Sequence, residues 1–187
     1  NVKEATLDPE DPSLAYTYSN LGSLKKQVAA YPESEQYFAK ARKIYESTLG
    51  KDHILYAATI NNLALLFQKM GNTNAAQPLF QEALEIYANT VGKFTPDYAS
   101  ALSNLASLYQ MEKNNDKAMS TLEEALEIDR VILGTNHPSY AKTLNNLAAL
   151  YEAKESYEQA KEKYRESLDI YANIFGEFHP SYALTLY

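Results

Sequence analysis

An all-α solenoid of antiparallel helix pairs is the fold that this sequence predicts, on three observations. The first is a period. "HPSYA" at His137 to Ala141 returns at His179 to Ala183, 42 positions on, and the same step backwards meets "TPDYA" at Thr95, "HILYA" at His53 and "DPSLA" at Asp11. A period between about 20 and 50 residues marks a repeat array. The second is helical spacing of apolar and small residues twice per unit, as in "ATINNLALLFQKMG" followed by "NAAQPLFQEALEIYANTVG", which makes each unit a helical hairpin. The third is punctuation. Pro12, Pro96, Pro138 and Pro180 stand where a first helical residue needs no N–H, and Gly50, Gly92, Gly134 and Gly176 stand where a left-handed residue ends the second helix.

Taken in order, a lead-in over residues 1–10 precedes repeat 1 (11–52), with helix A at 12–27 behind Asp11 and helix B at 32–49. Repeat 2 (53–94) places helix A at 54–70 behind His53, with Ile54 at the Pro site, and helix B at 74–91. Repeat 3 (95–136) gives 96–112 behind Thr95 and then 116–133. Repeat 4 (137–178) gives 138–154 behind His137 and then 158–175. Residues 179–187 open a fifth helix A at Pro180 with no helix B to cover Tyr182, Leu184 and Leu186. The parent protein is therefore expected to continue past Tyr187, and this end is a candidate surface for self-association.

Composition narrows the function. A net charge of −7 and a pI near 5.0 argue against a nucleic-acid partner, which needs a basic face to neutralise phosphates. Zero cysteines exclude a disulfide scaffold, a thiolate metal site and a cysteine nucleophile. No apolar run of about 18 residues occurs, so no membrane contact is expected, and the lack of cysteine biases the expected setting towards the cytoplasm. His53, His137 and His179 share one repeat position, and helix layers about 10 Å apart hold them too far from one another for metal bonds of about 2.1 Å. They read as helix caps. With no phosphate loop, GxSxG turn or HExxH helix, no catalytic residue, metal or cofactor is expected.

Leu63, Ala64 and Phe67 of helix A, followed by Ala76, Phe80 and Ala83 of helix B, resemble the tetratricopeptide repeat. Their equivalents are Leu21, Gly22, Ser34, Phe38 and Ala41, then Leu105, Ala106, Tyr109, Ala118, Leu122 and Ala125, then Leu147, Ala148, Tyr151, Ala160, Tyr164 and Ser167. The match covers nearly the whole chain. The usual unit of that family is about 34 residues. The longer unit here, the "NNLA" of helix A and the "ALEIY" ahead of Gly resemble the kinesin light chain subgroup. Repeat 1 departs most, with Lys25 at the aromatic position. The resemblance implies a right-handed superhelix whose A helices line a concave surface, and a non-catalytic scaffold that binds a protein or peptide segment there.

On a helical wheel the packing residues of helix A gather on one side. The opposite side carries Tyr16, Ser19 and Lys26, then Asn61, Leu65, Gln68 and Lys69, then Ser103, Gln110 and Met111, then Lys142 and Asn145. These are the candidate peptide-binding residues, and the polar ones read as surface groups without structural partners. The carboxylate clamp position of some family members reads Ser23, Leu65, Ser107 and Ala149, without its Asn, which argues against chaperone C-termini. Helix A segments carry Lys25, Lys26, Lys69, Lys142 and Lys154, while helix B segments hold acids including Glu123, Glu124, Glu127, Asp129, Glu158, Glu162 and Glu166. A neutral to slightly basic inside and an acidic outside favour a mildly acidic partner.

Asn20, Asn62, Asn104 and Asn146 lie about 70° from the groove centre and are assigned to backbone groups of an adjoining loop. Tyr56, Tyr98, Tyr140 and Tyr182 are assigned to packing between units. The alternative reading is a structural or regulatory array within a larger protein, packed on a neighbouring domain or on copies of itself. Binding through helix A against docking through helix B separates the two.

Overall fold

The computed structural model describes residues 11–176 and Thr185. Eight helices lie among them: α1 (Pro12–Gln27), α2 (Tyr31–Thr48), α3 (Ile54–Lys69), α4 (Thr73–Thr90), α5 (Pro96–Met111), α6 (Asn115–Ile132), α7 (Pro138–Ala153) and α8 (Tyr157–Phe175). Their ends fall within about one residue of those read from the sequence. The described residues contain no strand, and no helix among them is long and apolar enough to cross a membrane.

The chain divides between Gly92 and Lys93 into two compact units. In the first, α1 packs on α2, α2 on α3 and α3 on α4, and α1 also meets α3. The second repeats the scheme with α5 to α8, so that α5 meets α7. Each unit therefore sets two A helices side by side and covers them with two B helices. The residues that carry the family pattern form the core: Ala64, Ala76, Phe80 and Ala83 have no exposed surface, and Leu105, Ala106, Ala118, Leu122 and Ala125 are buried. Small residues at fixed positions let the paired helices approach closely enough for the large ones to fill the remaining space.

Local signals account for the helix ends. Asp11 accepts a hydrogen bond from the Ser13 N–H at 2.7 Å, and Thr95 Oγ1 accepts one from the Tyr98 N–H at 3.4 Å. His53 and His137 do the same through Nδ1, from the N–H groups of Leu55 at 3.2 Å and Ser139 at 3.1 Å. Both imidazoles thus satisfy backbone donors that a helix start leaves open. His179, Tyr182 and the helix start at Pro180 lie outside the described residues. At the far end of helix B, Gly50, Gly92, Gly134 and Gly176 adopt φ of 86°, 86°, 80° and 79°, the positive values that their spacing predicts.

A second positive-φ position, at the end of helix A, is hidden in the sequence because three of its four residues are not glycine. Ala29, Lys113 and Glu155 have φ of 57°, 59° and 59°, in the same repeat column as Gly71 at 76°. The following N–H groups of Asn114 and Ser156 reach back to the carbonyls of Tyr109 and Tyr151, both at 2.8 Å, and this closure fixes the left-handed residue before them. An L-residue in that region costs about 1–2 kcal/mol, offset in part by the extra unfolded-state entropy of glycine. Glu155→Gly is therefore expected to stabilise the protein by about 0.5–1 kcal/mol, read as a raised thermal midpoint. A lowered midpoint would contradict the assignment.

Three of the four repeated tyrosines are buried, and they also bond. The rings of Tyr56, Tyr98 and Tyr140 are buried, and their hydroxyls donate to Glu82, Glu124 and Glu166 at 3.3, 3.4 and 3.3 Å. Each pair joins a helix A to the helix B of its own repeat. Tyr56 Oη also accepts from Arg42 Nε at 3.1 Å. Burial pushes all three phenols above their ordinary range.

Candidate functional site

In the first unit the exposed candidates are Tyr16 and Lys69, while Ser19, Lys26, Asn61 and Leu65 are half-buried. Lys26 on α1 and Lys69 on α3 share one neighbourhood: burial lowers the affinity of the Lys26 ammonium for its proton, and the charge of Lys69 lowers it further. Ser19 Oγ lies 3.3 Å from Thr59 Oγ1 of the next repeat. Gln68 is only 9% exposed.

The second unit gathers three of the predicted residues. Ser103 and Gln110 on α5 and Lys142 on α7 surround a cavity of about 200 Å³ together with Asn104, Ser107 and Asn146, and Leu122 of α6 supplies its apolar wall. Met111 is exposed at the end of α5. Asn145 is half-buried, and its Nδ2 donates to Thr185 Oγ1 at 2.7 Å while its Oδ1 is buried without a hydrogen bond.

Two expectations need correction. Gln68 and Asn145 are not bare surface groups. A helical wheel treats each helix alone, whereas residues 40 positions apart meet across successive repeats, as in Ser19 with Thr59 and Asn145 with Thr185. Besides the structural role assigned to them, Asn104 and Asn146 also line the cavity between α5 and α7. Where two A helices stand side by side, a side chain well off the centre of one helix still reaches the cleft between them. Asp129 does not belong to an acidic outside, because it is 4% exposed.

Asp129 is the residue that sequence reading missed. Thr143 Oγ1 donates to its Oδ2 at 3.2 Å, and it borders a second cavity of about 60 Å³ shared with Pro96, Ser100, Ser103, Ser139, Lys142 and Thr143. Burial pushes its carboxyl above the ordinary range, opposed by the Thr143 hydrogen bond and by the positive sides of His137 and Lys142. The available signal was the repeat column: Tyr45, Tyr87, Asp129, Tyr171.

On the opposite side of the first unit, α2 and α4 border a cavity of about 500 Å³, with Ala39, Arg42 and Lys43 facing Ala75, Pro78 and Leu79 above Leu63 and Phe67. Among the described residues no three His, Asp or Glu side chains gather where they could hold a metal ion.

The model of the tetratricopeptide repeat family matches residues 13–89, 97–173 and 143–187. Among solved structures, BtubC (BKLC) from P. vanneervenii is similar at a TM-score of 0.79 and 28% identity, over 91% of this chain and 68% of that one. The nearly identical TPR-like repeats of a protein described as a kinesin light chain from Podosopora anserina are similar at a TM-score of 0.77 and 25% identity, over 93% of this chain and 82% of that one. A singly substituted variant of those repeats gives a TM-score of 0.78 at 24% identity over the same shares, a likeness of fold. No curated protein matches the chain. Hairpins of helices with buried small residues at fixed positions, positive-φ glycines closing each B helix, and a family match over most of the length lead to one conclusion: the chain belongs to the tetratricopeptide repeat family, whose repeats serve as protein-interaction scaffolds, and its structural neighbours are kinesin light chain-like.

Proposed function

We propose that the chain is a non-catalytic scaffold that binds a peptide or protein segment along the face of its A helices. The observation that carries this reading is the α5/α7 cleft, where amides, hydroxyls and Lys142 from two helices converge on a cavity with one apolar wall. Such a mixture suits an extended backbone, which needs hydrogen-bonding groups along its length and a few apolar contacts for its side chains. Because the cleft is built on helices, little ordering entropy is lost on docking. Lys26, Lys69 and Lys142 favour a segment with some acidic residues beside them, although screening over about 8 Å weakens exposed charges.

The second reading, an array that packs on a neighbouring domain through its B helices, draws on the cavity between α2 and α4. One experiment separates them. A peptide selected on this protein from a random 12-residue library is titrated against Gln110→Ala, Lys142→Ala and, on the B side, Lys43→Ala. The first two are expected to weaken binding about three- to tenfold each while stability changes by about 0.5 kcal/mol or less, and Lys43→Ala to leave binding unchanged. Binding lost only with Lys43→Ala would replace the first reading by the second.

A further inference from the structure

The repeat column that reads Tyr45, Tyr87 and Tyr171 reads Asp129 in the third repeat. All three tyrosines are buried, so the column is a core position at the end of helix B, and the shorter aspartate leaves space where a ring would sit. Beside Asp129 lies the cavity of about 60 Å³ between α5 and α7. Three serines and a threonine line it, and Ser103 and Lys142 are shared with the larger groove cavity beside it. Asp129 accepts one hydrogen bond, from Thr143, and joins no ion pair among the described residues. A carboxylate so buried, with His137 and Lys142 near it but neither in an ion pair with it, is costly, and a docking cation that pairs with it directly reduces that cost.

We infer that Asp129 is a recognition subsite of the groove, which takes the cationic head of a lysine or arginine side chain on the docked segment. The inference rests on the groove reading and refines its partner: a segment with one basic residue that enters the cleft between α5 and α7. The volume fits. A cavity of about 60 Å³ admits a small group such as a cationic head. Its hydroxyls supply acceptors for the remaining N–H groups. Lys142 lies on the rim, where its charge disfavours any cation that does not reach the carboxylate.

The test uses the intact chain and a random 12-residue peptide library, selected separately on the wild type and on Asp129→Asn. Wild-type binders are expected to share one lysine or arginine. Norleucine in its place should weaken binding to the wild type about tenfold or more and have little effect on Asp129→Asn, as a double-mutant cycle requires of a direct pair. Asp129→Tyr, which restores the repeat residue, should abolish the basic preference and raise the thermal midpoint. Groove binders that need no basic residue, or whose affinity ignores Asp129→Asn, would overturn the inference and leave the groove reading standing. Lys142 swinging inward to pair with Asp129 would give that same result. A library that yields no binders at all would sink both. If Asp129→Asn fails to fold, the amide shifts of Asp129 and Thr143 in the wild-type protein must differ between the basic peptide and its norleucine form, and their constancy would overturn the inference.

Discussion

Phe80→Ala is expected to destabilise the protein by about 3–5 kcal/mol, the largest effect of any single substitution considered for this chain. Phe80 has no exposed surface, and neither do Ala64, Ala76 and Ala83 of the same repeat. The helices are already held close by these small residues, so little side chain is at hand to move into the space the ring leaves. Transfer and cavity costs therefore add. Urea denaturation followed by helical signal measures the change. A loss below about 1 kcal/mol would mean that the hairpin collapses around the gap and that the packing is looser than described.

Gly22→Ala is the second, and here repeat comparison and structure point in opposite directions. The corresponding residues are Ala64, Ala106 and Ala148, so matching the repeats alone would favour alanine, which is also the better helix former by about 1 kcal/mol. A Cβ on Gly22, however, would stand 2.9 Å from two ring carbons of Phe38, which itself has no exposed surface in which to retreat. Overpacking of this kind costs about 1–3 kcal/mol. The variant is expected to be destabilised, and Phe38→Leu, the residue found at the matching position Leu122, is expected to restore part of the loss. A stabilised Gly22→Ala would show that the α1/α2 contact relaxes freely.

The fold was legible because its rules are local and repeated four times. A proline or cap residue before helix A, small residues at fixed intervals and glycine after helix B each act within a few residues, and each recurs at the same interval. The turn after helix A was not legible, since Ala29, Lys113 and Glu155 occupy a conformation that their residue types do not advertise. The site was legible in part. Ser103, Gln110 and Lys142 border one cavity, an arrangement that depends on the face each helix turns to its neighbour. Gln68 and Asn145 depend on what the following repeat places against them. Asp129 required reading down the repeats and noting the one departure from tyrosine; counted as one more helix B acid, it was placed on the outside.

The central claim, that partners dock on the A helices, is tested most directly by mapping backbone amide shifts of the isotope-labelled protein as a library-selected peptide is added. The account predicts that the shifts cluster on α5 and α7, around Ser103, Ser107, Gln110 and Lys142. Shifts confined to α2 and α4, around Ala39, Lys43 and Leu79, would contradict it.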